Sequence, residues 1–236
     1  MAISKSASLL DNPIWNSLST RHAGFALGGE LAKRFHPDIG PLAGLKQQSA
    51  ESYLALGQLF QPDEIAVLFL ESPPQLPQGW RLLKHETIVQ MVCTEPEMAQ
   101  VALREDLPIT PLGVEDRVEM LELATLTEPG PFRLRTGELG RFVGIREAGR
   151  LAAMAGERMS LAGFTEVSAV CTHPDFRGRG YAKALVAAIA RGILDRGYTP
   201  FLTSYKANLG AIRVYESVGF TLRRTFDLAV ILPPQG

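Results

Sequence analysis

Apolar positions along the chain follow two periods, and the pattern becomes more regular after residue 107. In residues 49–60, Tyr53, Leu54, Leu56 and Leu59 recur at helical spacing. Residues 65–70 are an unbroken apolar run between breakers, the mark of a buried strand. Asn12 before Pro13 opens a short helix, with Asn12 as its cap. The stretch Glu71-Ser72-Pro73-Pro74-Gln75-Leu76-Pro77-Gln78-Gly79 is loop, because its prolines lack the N–H that helix and ladder need. Thr94 and Glu97, with Pro96 between them, match a capping box that opens a helix. Residues 1–100 therefore read as a mixed α/β lobe.

Beyond residue 107 the elements alternate more clearly. Residues 109–112 predict a short strand, and residues 114–126 a helix with Val118, Leu121, Ala124 and Thr125 near one face. Glu128-Pro129-Gly130-Pro131 breaks the chain. Residues 140–146 and 150–159 predict adjacent strands joined through Glu147-Ala148-Gly149. Residues 166–172 are a further strand, ended by His173-Pro174-Asp175. Residues 180–196 carry Tyr181, Leu185, Ala188, Ile189 and Gly192 at helical spacing and stop at Gly197. A strand over 201–204, a helix over 208–217 and a final strand pair from Phe220 complete the chain. The fold class is α/β (α+β), with an N-terminal lobe over 1–100 and a second domain over 107–236.

Composition narrows the function. With 24 Lys+Arg against 25 Asp+Glu, the net charge of -1 argues against a protein that holds nucleic acid or an anionic membrane. Cys93 and Cys171 cannot build a disulfide framework, and no clustered His/Cys spacing suggests a metal. No apolar run approaches the roughly 18 residues that span a bilayer, and the N-terminus lacks the apolar core of a signal peptide. A soluble cytoplasmic protein is expected. His22, His36 and His85 are isolated and receive no role.

Chemistry concentrates in one segment, Val170-Cys171-Thr172-His173-Pro174-Asp175-Phe176-Arg177-Gly178-Arg179-Gly180-Tyr181-Ala182. A buried strand passes through a Gly-rich turn into a helix, whose first N–H groups lie unpaired at the positive end of the helix dipole. That arrangement suits a phosphate or pyrophosphate. Gly178 and Gly180 permit close backbone approach, and Arg177 and Arg179 add positive charge. The segment is neither a Walker loop nor a dinucleotide GxGxxG. Taken alone it is equally a helix-capping turn.

Downstream residues sharpen the reading. Residues 177–182 resemble the Q/R-x-x-G-x-G/A signature of the GNAT superfamily of acetyl-CoA-dependent N-acetyltransferases. Asn208-Leu209-Gly210-Ala211-Ile212-Arg213-Val214-Tyr215-Glu216-Ser217-Val218-Gly219-Phe220 resembles its second motif, N-x-x-A-x-x-x-Y-x-x-x-G-F. The resemblance covers 107–232 and implies a mixed, largely antiparallel sheet flanked by helices. The N-terminal lobe goes beyond a minimal member and is open to being a degenerate copy of the same fold.

The resemblance also implies roles. Acetyl-CoA is the co-substrate, with no metal, and the acceptor is a small-molecule or peptide amine. Val170, Cys171 and Thr172 meet the pantetheine arm; Arg177, Gly178, Arg179, Gly180, Tyr181 and Ala182 hold the pyrophosphate; Asn208 touches the cofactor. Tyr215 is the acid near the thioester sulfur, and Glu166 stands where some members carry a general base. Acceptor-side residues then belong to the lobe over 1–100. By alternation Glu166, Ser168 and Val170 share a strand face, with Cys171 turned away as buried filler. Two further readings stay open here, a non-catalytic acyl-CoA sensor and an RNA-binding protein using Arg177 and Arg179. Acceptor identity, acyl-chain preference and oligomeric state are not legible.

Overall fold

The computed structural model describes residues 8–61, 63–98, 104 and 106–234. In chain order its helices are α1 (Pro13–Leu18), α2 (Ala50–Gly57), α3 (Glu95–Met98), α4 (Arg117–Thr127), α5 (Tyr181–Leu194) and α6 (Leu209–Glu216). The strands are β1 (Ala26–Gly28), β2 (Ala32–Phe35), β3 (Ala43–Leu45), β4 (Ala66–Leu70), β5 (Arg81–Val92), β6 (Ile109–Leu112), β7 (Phe142–Glu147), β8 (Arg150–Leu161), β9 (Phe164–Thr172), β10 (Thr199–Tyr205) and β11 (Thr221–Leu232). Strands β1–β3 form a small antiparallel meander, packed with α1 and α2 as an N-terminal lobe. The other eight form one sheet, in the order β4-β11-β5-β10-β9-β8-β7-β6. Every neighbouring pair is antiparallel except β9 with β10. The mixed, largely antiparallel sheet is the one expected.

Helices cover both faces. On one, α5 seals Ala153, Ala155 and Val167 under Leu185, Ile189 and Ile193. On the other, Met120, Leu123 and Ala124 of α4 pack with Phe132 on Met154 and Ala169. The expected face of α4 is rotated, since Val118 points to solvent while Met120 and Leu123 are buried. Asn12 does not cap α1; its Nδ2 donates to the Leu45 carbonyl at 2.7 Å and ties the helix to β3. Thr94 and Glu97 form one half of the expected capping box, the Thr94 N–H donating to Glu97 Oε2 at 2.7 Å, and the Thr94 hydroxyl donates to the same oxygen at 2.8 Å. No helix among the described residues is long and apolar enough to cross a membrane.

The boundary expected between residues 100 and 107 does not separate two sheets. Strands β4 and β5 both precede it, yet β5 lies between β10 and β11 and completes the sheet. Leu10, Ile14 and Phe35 share one core with Met159, Phe164, Phe201 and Phe226. His22 reinforces this docking, with Nδ1 against Ser17 Oγ at 3.0 Å and Nε2 against the Leu139 carbonyl at 3.1 Å. Sequence pattern hides β5 because residues 81–87 are exposed and show no apolar alternation. The last segment is one strand of 12 residues, not a pair. A chain starting at residue 107 would leave β10 and β11 without the strand between them, and bare edges and apolar faces favour aggregation over folding. Such a fragment is expected to show no cooperative thermal transition by circular dichroism; a sharp melt would establish that the C-terminal part is self-sufficient.

Candidate active site

The site begins where two strands part. Parallel pairing between β9 and β10 spans Thr199, Pro200 and Phe201 against Phe164, Thr165 and Glu166, and stops there. Beyond this vertex the strands diverge, and a cavity of about 570 Å³ opens between them. It is lined by residues 167–172 of β9, Thr203, Ser204 and Tyr205 of β10, the turn after β9, and Asn208, Ala211 and Tyr215.

Strand β9 is irregular beside the cavity. Ser168 faces Gly156 and Cys171 faces Met154, so three steps on β9 match two on β8. This is a β-bulge, and Ala169 adopts a left-handed φ of 52° within it. A left-handed non-glycine residue costs about 1 kcal/mol or more, so the surrounding packing imposes it. The bulge shifts side-chain alternation by one. Cys171 therefore lies on the Ser168 side, packed with Met154 and Ala169, whereas Val170 packs toward the core under α5. The expected shared face of Glu166, Ser168 and Val170 is broken at that point. Burial pushes the Cys171 thiol up to about 11, which keeps it protonated and poorly nucleophilic.

At the open end of β9 the chain turns through Gly178 and Gly180, both left-handed at φ 79° and 80°. The first bond entering α5 runs from the Ala184 N–H to the Gly180 carbonyl at 3.1 Å. The N–H groups of Tyr181, Ala182 and Lys183 thus lack intrahelical acceptors and face the dipole's positive end. Arg177 and Lys183 are exposed and line the same cavity. Arg179 sits 3.6 Å from Glu147 and 5.2 Å above the Phe176 ring, so its guanidinium is already engaged. The Tyr181 hydroxyl donates to Glu147, which anchors the first turn of α5 to β7.

Tyr215 and Asn208 enter from α6. Asn208 Oδ1 accepts the Ala211 N–H at 3.1 Å, so it caps α6 while lining the cavity. The Tyr215 ring packs edge-on to Phe220, with centroids 6.4 Å apart. Burial, with Cys171 and Glu166 nearby, pushes its hydroxyl up to about 12. The group is a proton donor throughout the neutral range. Its hydroxyl makes no hydrogen bond among the described residues.

Glu166 occupies the vertex and does not line the cavity. It is fully buried, and Arg158 of β8 donates to both its oxygens at 2.8 Å, Nε to Oε2 and Nη2 to Oε1. Thr203 Oγ1 donates to Oε1 at 3.0 Å. Among the described residues no group of three or more His, Cys, Asp or Glu is placed to hold a metal ion.

Residues 142–227 match the FR47-like protein family. A GNAT-family structure from Novosphingobium aromaticivorans superposes with a TM-score of 0.88 at 37% identity, covering 96% of this chain and 99% of that one. The chain belongs to the GNAT family of acetyltransferases. A GCN5-related N-acetyltransferase from Kribbella flavida shares the fold at a TM-score of 0.63 and 18% identity, covering 95% and 96% of the two chains. An acetyltransferase from Colwellia psychrerythraea does so at 0.53 and 14%, covering 98% and 97%. No match is found among curated proteins.

As a GNAT acetyltransferase the protein acts on acetyl-CoA, and its cavity gathers every cofactor-side residue anticipated from sequence: Val170, Cys171, Thr172, Arg177, Gly178, Arg179, Gly180, Tyr181, Ala182 and Asn208, with Tyr215. Glu166 stands outside that lining. Sequence reading missed Arg158 and Thr203, whose relation to Glu166 depends on the β8 bulge after Glu157 and on strand order. It also missed the wall of Val67, Phe69, Ile88 and Leu228. Arg158→Met leaves the buried Glu166 carboxylate unpaired, and losing one partner of such a pair costs about 3–5 kcal/mol. Urea unfolding of this GNAT protein is expected to show a loss of that size, recovered mostly in Arg158→Met/Glu166→Leu; equal stability of the single variant and wild type would mean that water replaces the guanidinium.

Proposed function

We propose that the protein transfers the acetyl group of acetyl-CoA to a primary amine by direct attack, without a covalent enzyme intermediate. The observation that carries this reading is the one cavity lined together by the glycine turn, the β9 bulge and Tyr215. In the reaction the amine nitrogen forms a bond to the acetyl carbon, the C–S bond breaks, the sulfur gains a proton and the nitrogen loses one.

The chain's own groups divide this work. The free N–H groups of Tyr181, Ala182 and Lys183, with Arg177 beside them, bind the pyrophosphate. The unpaired edge of β9 over 167–172 offers backbone groups to the pantetheine arm, as a neighbouring strand would. The bulge releases a β9 N–H from the ladder toward the thioester oxygen, where negative charge develops. Tyr215 donates its proton to the departing sulfur. Holding both substrates in one cleft supplies much of the rate.

Glu166 takes a different part from that of a free base. Both oxygens already accept N–H groups from Arg158, Oε1 also accepts the Thr203 hydroxyl, and the carboxylate is not part of the cavity lining. We assign it the positioning of Arg158, with the amine's proton passing to water in the open cavity. On this reading Glu166→Gln lowers the rate but keeps the acidic limb of the pH–rate profile, which belongs to the amine itself. Loss of that limb would return the base role to Glu166.

Two further variants test the cofactor and the acid. Gly180→Glu places a carboxylate against the pyrophosphate, while Gly180→Ala carries the same backbone strain at φ 80° without the charge. Calorimetry is expected to show acetyl-CoA affinity abolished in the first and weakened only modestly in the second; equal affinities would remove the pyrophosphate from this turn. Tyr215→Phe retains the ring but not the donor, so kcat is expected to drop about 10²-fold with KM for acetyl-CoA unchanged. Because Tyr215 stays protonated to about 12, wild-type kcat is expected to show no tyrosine limb up to pH 10. An undiminished kcat in Tyr215→Phe would leave sulfur protonation to water.

A further inference from the structure

The vertex end of the cavity holds a donor that acetyl transfer alone does not use. The Arg158 side chain is only 9% exposed, yet it lines the cavity. Its Nε and Nη2 are occupied by Glu166. Its Nη1 makes no hydrogen bond or ion pair among the described residues, and protein does not seal it. Its N–H groups therefore open into the cavity.

Along the cavity from this donor, one wall is apolar. Val67 and Phe69 of β4, Ile88 of β5 and Leu228 of β11 line the cavity. They belong to the core containing Phe201, the last residue of β10 paired at the vertex, and Met159, next to Arg158. Phe69 and Leu228 lie directly opposite each other across the β4–β11 ladder. A buried guanidinium edge in an apolar pocket gains most from a carboxylate, whose oxygens match its planar N–H geometry. Glu166 fixes the plane of the guanidinium and offsets its charge, so recognition depends on hydrogen-bond geometry more than on attraction for any anion.

We infer that the acceptor is an amino acid with an apolar side chain, a step that rests on the acyl-transfer reading above. Its carboxylate binds Arg158 Nη1, and its side chain packs on Val67, Phe69, Ile88 and Leu228. Its amine then faces the thioester, which the glycine turn presents from the opposite end of the cleft.

The experiment follows CoA release from acetyl-CoA by the full chain with L-leucine, L-leucinamide and 3-methylbutylamine, compared at equal free-base concentration. Leucine is expected to exceed both analogues by about tenfold or more in kcat/KM, the scale of a charge-assisted hydrogen bond in a dry site. Glycine, which keeps the carboxylate but not the apolar body, is expected to trail leucine by at least about tenfold. Arg158→Lys keeps a cation for Glu166 without Nη1, and Arg158→Gln/Glu166→Gln replaces the ion pair with a neutral one. In both, once a cooperative melt shows the fold intact, the acid-to-amide ratio is expected to fall about tenfold. Equal wild-type turnover of leucine, leucinamide and 3-methylbutylamine overturns the carboxylate assignment and leaves acyl transfer standing. A ratio that persists in both variants places carboxylate recognition elsewhere. Acetyl-CoA binding with no turnover of any amine overturns the acyl-transfer reading, and this inference with it.

Discussion

Strands β9 and β10 run parallel, pair over three residues and then part, and the groups at that vertex set the shape of the site. A parallel ladder that simply frayed would close with small rearrangements of its edges. Here Glu166 of β9 accepts from Arg158 of β8 and Thr203 of β10 at 2.8 and 3.0 Å, so one carboxylate links three adjacent strands at the fork. The carboxylate and the guanidinium are both buried, which costs several kcal/mol in desolvation before their mutual attraction offsets it. A hydrophobic trio would fill the same space at lower cost. What it would not supply is a fixed cation whose remaining edge faces the cleft.

The two ends of the cleft are made electropositive in different ways. At the mouth, positive potential comes from backbone N–H groups and the dipole of α5, with the exposed cations Arg177 and Lys183 beside them. That suits a large, highly charged and partly solvated group such as a pyrophosphate. At the vertex, a single guanidinium is held in one orientation by a buried partner. That suits a small planar anion recognised by geometry. Between them lie Tyr215, whose hydroxyl stays protonated at neutral pH, and the bulge of β9, neither of which carries charge. Acyl transfer needs this neutral middle, because the amine must arrive without its proton and the thioester must not be diverted by a stray nucleophile. Cys171 lies in the same region, and its raised pKa keeps it inert.

What sequence alone revealed divides along the same line. The turn from His173 to Ala182 and the helix from Asn208 to Tyr215 are continuous stretches whose spacing encodes local geometry, so both are readable without the fold. The vertex is not local. Arg158 meets Glu166 only because β8 bulges after Glu157, and Thr203 joins them only because β10 lies beside β9. The β9 bulge likewise defeats simple alternation, which is why Cys171 and Val170 exchange their expected sides. Strand β5 escapes detection for another reason: its first seven residues are exposed, so the period of two that betrays a half-buried strand is absent. The continuous run of β4 was legible because it is buried on both faces, Val67 and Phe69 toward one core and Ala66, Leu68 and Leu70 toward another.

The placement of β5 connects chain order to function. Residues 81–92 fill the position between β10 and β11, so the strand that carries Ile88 to the cavity comes from before the glycine turn and its neighbours from after it. The proposed acceptor wall thus combines Val67 and Phe69 of β4 with Leu228 of β11, about 160 positions later, and Ile88 of β5, on three adjacent strands of one sheet. Such pairings close long loops, whose closure entropy is spent before the distant contacts return it. The glycine turn rests on the β9–α5 connection and its ties to Glu147 of β7, whereas the proposed acceptor wall draws on β4, β11 and β5. The two substrate sites therefore differ in their tolerance of change. Substitutions on β4, β5 or β11 can reshape that end of the cavity without touching the glycine turn, but each is constrained by the sheet that also supports β10.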